Sequence, residues 1–394
     1  MHIRMISVLV ASLAAAALFA STAWTQEAGP VKYTWAGKKI EGAVWGIAQG
    51  DLDGDGTVET VLLERKRVRI GRLGQKGFEQ EGECELPGNA MGAKVYAADV
   101  DGDSTDDIIV SAVEDGIPAS LALSYRGGSC KTIFERARLS LRLTEADEGE
   151  RMLVGQGWSQ SSFFFGPVRK IRMKKGRPAG EGKLKLPTGT RLYQFSFLPA
   201  DDNTAVALLK GYSPLEVKEL SGRKFKKVWR SPNRMGGSPN QLRAPQRDVL
   251  GSEASDSTTF DMPPLAARIN GLPAVVSVQS AMPLKGVIGK KPAISGTRLL
   301  AFIEDPGLGF ALGPQTVELP SCVSDFIFGS TKEGGYGEIL VVMHNECGMF
   351  TDATESRIIS FEIPGLSHWG KWGTSSADAR EGSGAPLKAV SKKP

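Results

Sequence analysis

Two stretches of the chain share one order of apolar and polar positions. Residues 45–63, WGIAQGDLDGDGTVETVLL, run from a short apolar lead-in through an acidic loop into a β-branched run. Residues 95–111, VYAADVDGDSTDDIIVS, do the same. Behind the first loop, Thr60-Val61-Leu62-Leu63 and Val68-Arg69-Ile70 predict strands; behind the second, Ile108-Ile109-Val110 and the run Leu121 to Tyr125 do. Asp51 and Asp99 stand 48 residues apart, the length of a four-stranded propeller blade. Weaker copies keep the strand–loop–strand order without the full set of acids: Phe195 to Leu209 around Asp201-Asp202-Asn203, Pro264 to Val278 and Ser324 to Met343, with Glu150 to Trp158 a sixth candidate. Beyond the N-terminal segment no pattern predicts a helix of ten or more residues.

Repeated short strands with turn signals predict an all-β fold, a β-propeller of six or seven four-stranded blades. One blade cannot bury both of its faces; stacking blades in a ring buries them all and leaves only short outer edges. One blade is expected to draw strands from both ends of the chain. Residues 231–262 are rich in Ser, Pro, Gly and Asn and read as a loop-rich insertion inside a propeller that spans 24–370. Residues 371–394 hold few apolar side chains and are expected to be a disordered tail.

Residues 1–23 read as a signal peptide. His2 and Arg4 precede the apolar, Ala-rich run Ile6 to Phe19, and Ser21-Thr22-Ala23 offers small residues for cleavage before Trp24. The expectation is an exported protein, periplasmic or extracellular, with no transmembrane segment in the mature chain. Four cysteines follow: Cys84, Cys130, Cys322 and Cys347. An even number in an exported chain predicts two disulfides. Cys84–Cys130 and Cys322–Cys347 are the expected pairs, because each lies within one repeat unit or two adjacent ones. No C-x-x-C spacing supports zinc.

The net charge of +4 is small but unevenly placed. From Glu41 to Glu150 there are 22 acidic and 12 basic residues; from Arg169 to Arg234 there are 17 basic and 5 acidic. The basic stretch predicts either a solvated face with protected sheet edges or a surface for a protein or anionic glycan partner. So small a net charge in an exported chain argues against nucleic acid.

The acidic loops carry the most specific chemistry. Carboxylates stand at positions 1, 3, 5 and 9 of each: Asp51, Asp53, Asp55 and Glu59, then Asp99, Asp101, Asp103 and Asp107. The carbonyls of Thr57 and Thr105, at position 7, are further candidate ligands. Four carboxylates within nine residues repel one another unless a hard, oxygen-seeking cation lies between them, so calcium is the expected cofactor. An EF-hand would need Glu at position 12 and flanking helices; here position 12 is Leu62 or Val110, inside a predicted strand. These residues resemble the FG-GAP (VCBS-type) repeat family, which builds the propellers of integrin α-subunits. The pattern D-x-D-x-D-G-x-x-[DE] is met by Asp51, Asp53, Asp55, Gly56 and Glu59, and by Asp99, Asp101, Asp103 and Asp107 with Ser104 in place of the Gly. The resemblance implies structural calcium in hairpin loops between blade strands.

Catalytic motifs are scarce. His344 and His368 are the histidines beyond the signal, and neither sits in H-E-x-x-H; no G-x-S-x-G, P-loop or G-x-G-x-x-G occurs. Trp158, Phe163, Phe164 and Phe165 suit either the packing between blades or sugar stacking. The sequence therefore points first to a non-catalytic exported propeller that binds a protein or surface glycan. A glycan hydrolase or lyase with carboxylates in the axial funnel is the alternative, and a structural subunit of an envelope complex is a third reading.

Overall fold

The computed structural model describes residues 29–146, 150–160, 162–199, 204–243, 257–282, 294–331, 337–347 and 353–368. The signal, the 371–394 tail and much of the 231–262 insertion lie outside these residues. Among the described residues no helix is long and apolar enough to cross a membrane.

The chain opens with β1 (Trp35–Ala36) and β2 (Ile40–Glu41), which belong to the last blade. Blade 1 is β3 (Gly46–Gly50), β4 (Glu59–Leu63), β5 (Arg67–Gly74) and β6 (Gly77–Glu85). Blade 2 is β7 (Met91–Ala98), β8 (Asp107–Glu114), β10 (Ser120–Arg126) and β11 (Ser129–Ala137), with the short β9 (Ile117–Pro118) against β8. Blade 3 is β12 (Ser140–Glu145), β13 (Arg151–Ser159), β14 (Ser162–Lys174) and β15 (Arg177–Lys183). Blade 4 is β16 (Phe195–Leu198), β17 (Ala205–Leu208), β18 (Ser213–Ser221) and β19 (Lys224–Met235). A separate hairpin, β20 (Gln241–Arg243) with β21 (Ser257–Thr259), follows. Blade 5 is β22 (Leu265–Ile269), β23 (Leu272–Ala281), β24 (Gly296–Asp305) and β25 (Gly309–Gln315). Blade 6 is β26 (Cys322–Gly329), β27 (Glu338–His344) and β28 (Glu355–Phe361), and β29 (Leu366–His368) ends the described chain. The propeller thus has six blades, each an antiparallel meander.

Position in the blade explains the residue patterns. Inner strands are covered on both faces by neighbouring blades. β4 (ETVLL) and β8 (DIIVSAVE) are therefore buried throughout and read as continuous apolar runs. Outer strands meet solvent, so β6 and β11 are mostly polar with isolated buried residues. Two-residue turns at Asp115-Gly116, Lys175-Gly176 and Asn270-Gly271 take positive φ at both positions, the hairpin geometry that matches strand twist.

Each gap between blades holds its own apolar cluster. Val61 and Ile70 meet Val95 and Val110 between blades 1 and 2, and Ile109 and Phe134 meet Leu141 and Ile171 between blades 2 and 3. Phe163, Phe164 and Val168 pack with Tyr193 and Phe195 between blades 3 and 4. Leu215 and Val217 meet Val275 and Phe302 across the next gap, Val276 and Leu299 meet Phe326 and Val341 across the fifth, and Leu340 and Val342 meet Ile47 and Leu62 across the last. Of the sequence's aromatic quartet, Phe163 and Phe164 are core, Trp158 is half-buried and Phe165 is exposed.

The ring closes as the sequence suggests. β1 and β2 both pair with β28, so the N-terminal segment supplies the fourth strand of blade 6. Val44 is the stitch between the ends: its carbonyl accepts from Ser324 Oγ (2.8 Å) and His344 Nε2 (2.7 Å), and its N–H donates to Ser356 Oγ (2.9 Å). The disulfides fall where expected. Cys84–Cys130 joins the outer strands of blades 1 and 2, and Cys322–Cys347 lies within blade 6. The sequence did not anticipate β29, which pairs with β22 and lays the C-terminal segment along the inner edge of blade 5.

His344 gives this seam a pH dependence. It is 1% exposed, its ring stands edge-on to Trp45, and burial pulls its pKa from 6.5 down to about 4. The unfolded chain binds this proton more readily, so stability contributed at neutral pH is lost as pH falls from about 6.5 through 4. The loss is about 3 kcal/mol. Urea unfolding across that range should show this step in the native protein and lack it in His344→Gln; an imidazole titrating near 6.5 by NMR would contradict the assignment.

Candidate metal centres

The acidic loops join β3 to β4 and β7 to β8, at equivalent places in neighbouring blades. Their hydrogen bonds from backbone N–H groups match one for one. Asp51 Oδ1 and Oδ2 accept from the N–H groups of Gly54 (2.7 Å) and Gly56 (3.1 Å); Asp99 accepts likewise from Gly102 (2.7 Å) and Ser104 (3.0 Å). Asp53 and Asp101 accept from the residues two further on, Asp55 and Asp103. Glu59 Oε2 accepts from Leu52 N (2.9 Å), and Asp107 Oδ2 from Val100 N (3.0 Å). Ser104 adopts φ 70°, matching Gly56 at φ 83°. The substitution is thus accommodated by a left-handed serine at a cost of order 1 kcal/mol. Asp106 N donates to the Asp51 carbonyl (2.8 Å) and ties the loops together.

Within each loop three carboxylates converge. Asp51, Asp53 and Glu59 each place an oxygen within 4.8 Å of the others', and so do Asp99, Asp101 and Asp107. Oxygens about 2.3–2.6 Å from one calcium ion would be no more than about 5.2 Å apart, so both sets fit a single ion. The chemistry of the donors agrees, and so does one orphan atom. Asp107 is 1% exposed, and its Oδ1 is buried with no hydrogen-bond partner. Burial, with Asp101, Asp103 and Asp99 around it, pushes the Asp107 carboxyl up to about 7. Burial, with Asp53 adding to it, pushes Glu59 up to about 7 as well.

The fifth-position acids turn elsewhere. Asp55 Oδ1 accepts from Thr57 N (2.6 Å) and its Oδ2 meets Arg72 Nη2 (3.2 Å), which also reaches Glu59 Oε1 (3.1 Å). Asp103 accepts from Thr105 N and Oγ1, and Arg126 bridges Asp103 and Thr105. Hydrogen bonds from Thr57 and Thr105 hold these two carboxyls below the usual range. Sequence reasoning missed both arginines. Each arrives from the blade's third strand, and pairing β4 with β5 and β8 with β10 in register would have found them.

Residues 40–110 match the FG-GAP-like repeat family. This FG-GAP-like region covers blade 1 and the first half of blade 2, both loops included. No curated protein sequence matches the chain. Among solved structures, the chain is similar in fold to the PQQ-bound form of aldose sugar dehydrogenase from Streptomyces coelicolor, with 13% identity, 86% of this chain and 98% of that chain covered, and a TM-score of 0.44. It is also similar to the calcium-binding protein regucalcin from Agrobacterium tumefaciens, with 10% identity, 87% and 99% covered, and a TM-score of 0.42.

Two other charged regions stand out. Blades 3 and 4 expose Arg169, Lys170, Lys174, Arg177 and Lys183 along β14 and β15, and Lys224, Lys226, Lys227 and Arg230 along β19. Phe225 of β19 and Val168 of β14 belong to the same apolar cluster between blades 3 and 4. At the centre of the ring lies a cavity of about 80 Å³ lined by inner-strand residues and His368. Lys94 Nζ and Asp325 Oδ1 form an ion pair there at 2.8 Å, both buried, and His368 Nε2 lies 3.4 Å from Glu145 Oε1.

The Lys94–Asp325 pair spans blades 2 and 6, and Asp325 Oδ2 also accepts from Ile47 N (3.3 Å) in blade 1. Removing the cation strands a buried carboxylate. Lys94→Met should therefore cost about 3–5 kcal/mol in denaturant unfolding, and adding Asp325→Leu should recover most of it. Equal losses in the single and double variants would show that the pair's charges are not what matters.

Proposed function

We propose that this protein is an exported, non-catalytic binding propeller that holds structural calcium in its two acidic loops and takes an anionic glycan on the basic rim of blades 3 and 4. One observation carries the reading: the rim sets like charges directly opposite one another. Arg169 faces Lys183 and Lys174 faces Arg177 across β14 and β15, and Lys218 faces Lys227 across β18 and β19. Such pairs destabilise a sheet by about 0.2–1 kcal/mol each. A polyanion laid over the rim turns that repulsion into binding energy. Opposite charges offset part of this: Glu216 faces Arg230 and Glu219 faces Lys226 across β18 and β19, and Arg172 pairs with Glu181 and Lys218 with Glu216.

The axial cavity supports binding over glycan hydrolysis. Hydrolysis needs two carboxylates flanking one bond, whereas Asp325 is held by Lys94 and Glu145 lies against His368. The two disulfides support an oxidising compartment. Asp51, Asp53 and Glu59 would hold one calcium ion, and Asp99, Asp101 and Asp107 another. When bound, the ions supply charge that neutralises the converging carboxylates and ties each blade's first hairpin.

Calcium bound only by the folded state stabilises it by about 2.7 kcal/mol per site at a hundredfold excess over Kd. Chelation should therefore lower Tm by several degrees. Asp107→Asn should invert the effect: lower Tm than the native protein in calcium, because a ligand charge is lost, and equal or higher Tm in chelator, because the orphan carboxylate is gone. A Tm indifferent to chelator, on protein prepared in calcium, would remove calcium from the reading.

For the rim, the full chain should bind immobilised heparin as a model polyanion but not neutral dextran. Affinity should fall about tenfold or more between low and physiological salt as screening shortens the reach of the rim charges. The triple variant Arg169→Glu, Lys174→Glu, Lys227→Glu should lose binding with Tm preserved or raised. Retention of heparin binding by that variant would place the glycan surface elsewhere.

A further inference from the structure

The axial cavity contains a buried cation with no direct ion-pair partner among the described residues. Arg142, at the inner edge of blade 3, is 3% exposed. Its guanidinium donates to the carbonyls of Leu192 (2.9 Å) and Phe195 (2.5 Å) and to Ser196 Oγ (3.1 Å), and it stands 4.9 Å over the Phe195 ring. All of these partners are neutral. Among the described residues no carboxylate lies within ion-pair distance of it, while Asp325 is taken by Lys94 and Glu145 lies against His368. Burial lowers the Arg142 pKa, and the charge of Glu145 in the same wall opposes the shift only in part. A buried guanidinium without an anion is costly, and proteins pair such groups or use them.

Two further donors line the same cavity. Tyr96 has no hydrogen-bond partner for its hydroxyl among the described residues, and burial raises its pKa well above the ordinary value, so the phenol keeps its proton. Lys94 Nζ donates once, to Asp325, and an ammonium has three N–H groups. The rest of the wall is largely apolar, including Ala48, Val95, Leu265 and Phe326. A cavity needs roughly 10–15 Å³ per water; about 80 Å³ admits a molecule of a few heavy atoms.

We propose that the axial cavity is a binding site for a small organic carboxylate, whose anionic end accepts from Arg142, Tyr96 and Lys94 and whose short apolar body lies against the inner strands. The planar fork of Arg142 suits a carboxylate, and the apolar wall suits a carbon chain better than an inorganic anion. The site is independent of both the acidic loops and the basic rim.

Calorimetric titration of the full chain with sodium propionate tests it, with propionamide and inorganic phosphate as the comparison probes. Propionate should bind with Kd on the order of 1 mM, about −4 kcal/mol for five heavy atoms, and propionamide at least tenfold more weakly. Tyr96→Phe removes a hydroxyl that holds nothing in the fold; it should keep the native Tm and weaken propionate about tenfold. Arg142→Met should abolish binding, and because it also strands Leu192 and Phe195, Tyr96→Phe is the variant that decides if it fails to fold. Equal binding of propionamide, binding of phosphate without propionate, no binding of any probe, or full affinity in Tyr96→Phe would each overturn the proposal.

Discussion

The structure rests on one constraint: every inner strand must be covered on both faces. β4 and β8 show it most plainly, since neither has an exposed residue. A lone sheet could cover one face at most. The only arrangement that covers both faces of six such sheets leaves no first or last blade, so the two ends of the chain must meet. That need explains the density of bonds at Val44, where Ser324, His344 and Ser356 of blade 6 hold the segment leading into blade 1. A buried neutral histidine serves the same seam: at 1% exposure its ring donates, beside Ser324, to the Val44 carbonyl.

The acidic loops depend on this framework. Each springs from the first hairpin of a blade, and its ninth residue is already the first residue of a fully buried strand: Glu59 begins β4 and Asp107 begins β8. The loop can bend tightly because the strand below it cannot move. Burial of that ninth carboxylate raises its pKa and, at Asp107, leaves one oxygen without a partner. The same packing that makes the hairpin rigid makes the metal-free loop electrostatically unfavourable, so cation affinity follows from the fold as well as from the count of aspartates. The Cys84–Cys130 bond holds the outer ends of the same two blades, while the Asp106–Asp51 hydrogen bond holds their loops.

Most of the architecture was legible because inner strands write themselves as apolar runs. Phe195 to Leu209, Pro264 to Val278 and Ser324 to Met343 fall on β16–β17, β22–β23 and β26–β27, the two innermost strands of their blades. The outer strands were not legible in the same way. β11 reads SCKTIFERA and β15 reads RPAGEGK, and only Phe134 of β11 is core, with no buried residue in β15. Without them blade number rests on the count of recognisable inner-strand units, hence six or seven where the ring holds six. At the candidate sites the carboxylates were visible because they are close in sequence. Arg72 and Arg126 were not, because their proximity is created by strand pairing, and β29 was not, because three residues carry no periodicity.

The same distinction separates the three charged regions. The acidic loops are local in sequence, the basic rim is local to two neighbouring blades, and the axial charges come together only when the ring closes. Lys94 belongs to blade 2, Arg142 to blade 3 and Asp325 to blade 6. No pairwise contact between adjacent blades fixes all three, so a group in the cavity that touches each of them would couple three blades at once. A propeller's centre is where its strands converge and where side chains from every blade face one another. Arg142, which has no ion-pair partner among the described residues, is therefore the residue least explained by the packing of any one blade, and the one for which a ligand is the most economical explanation.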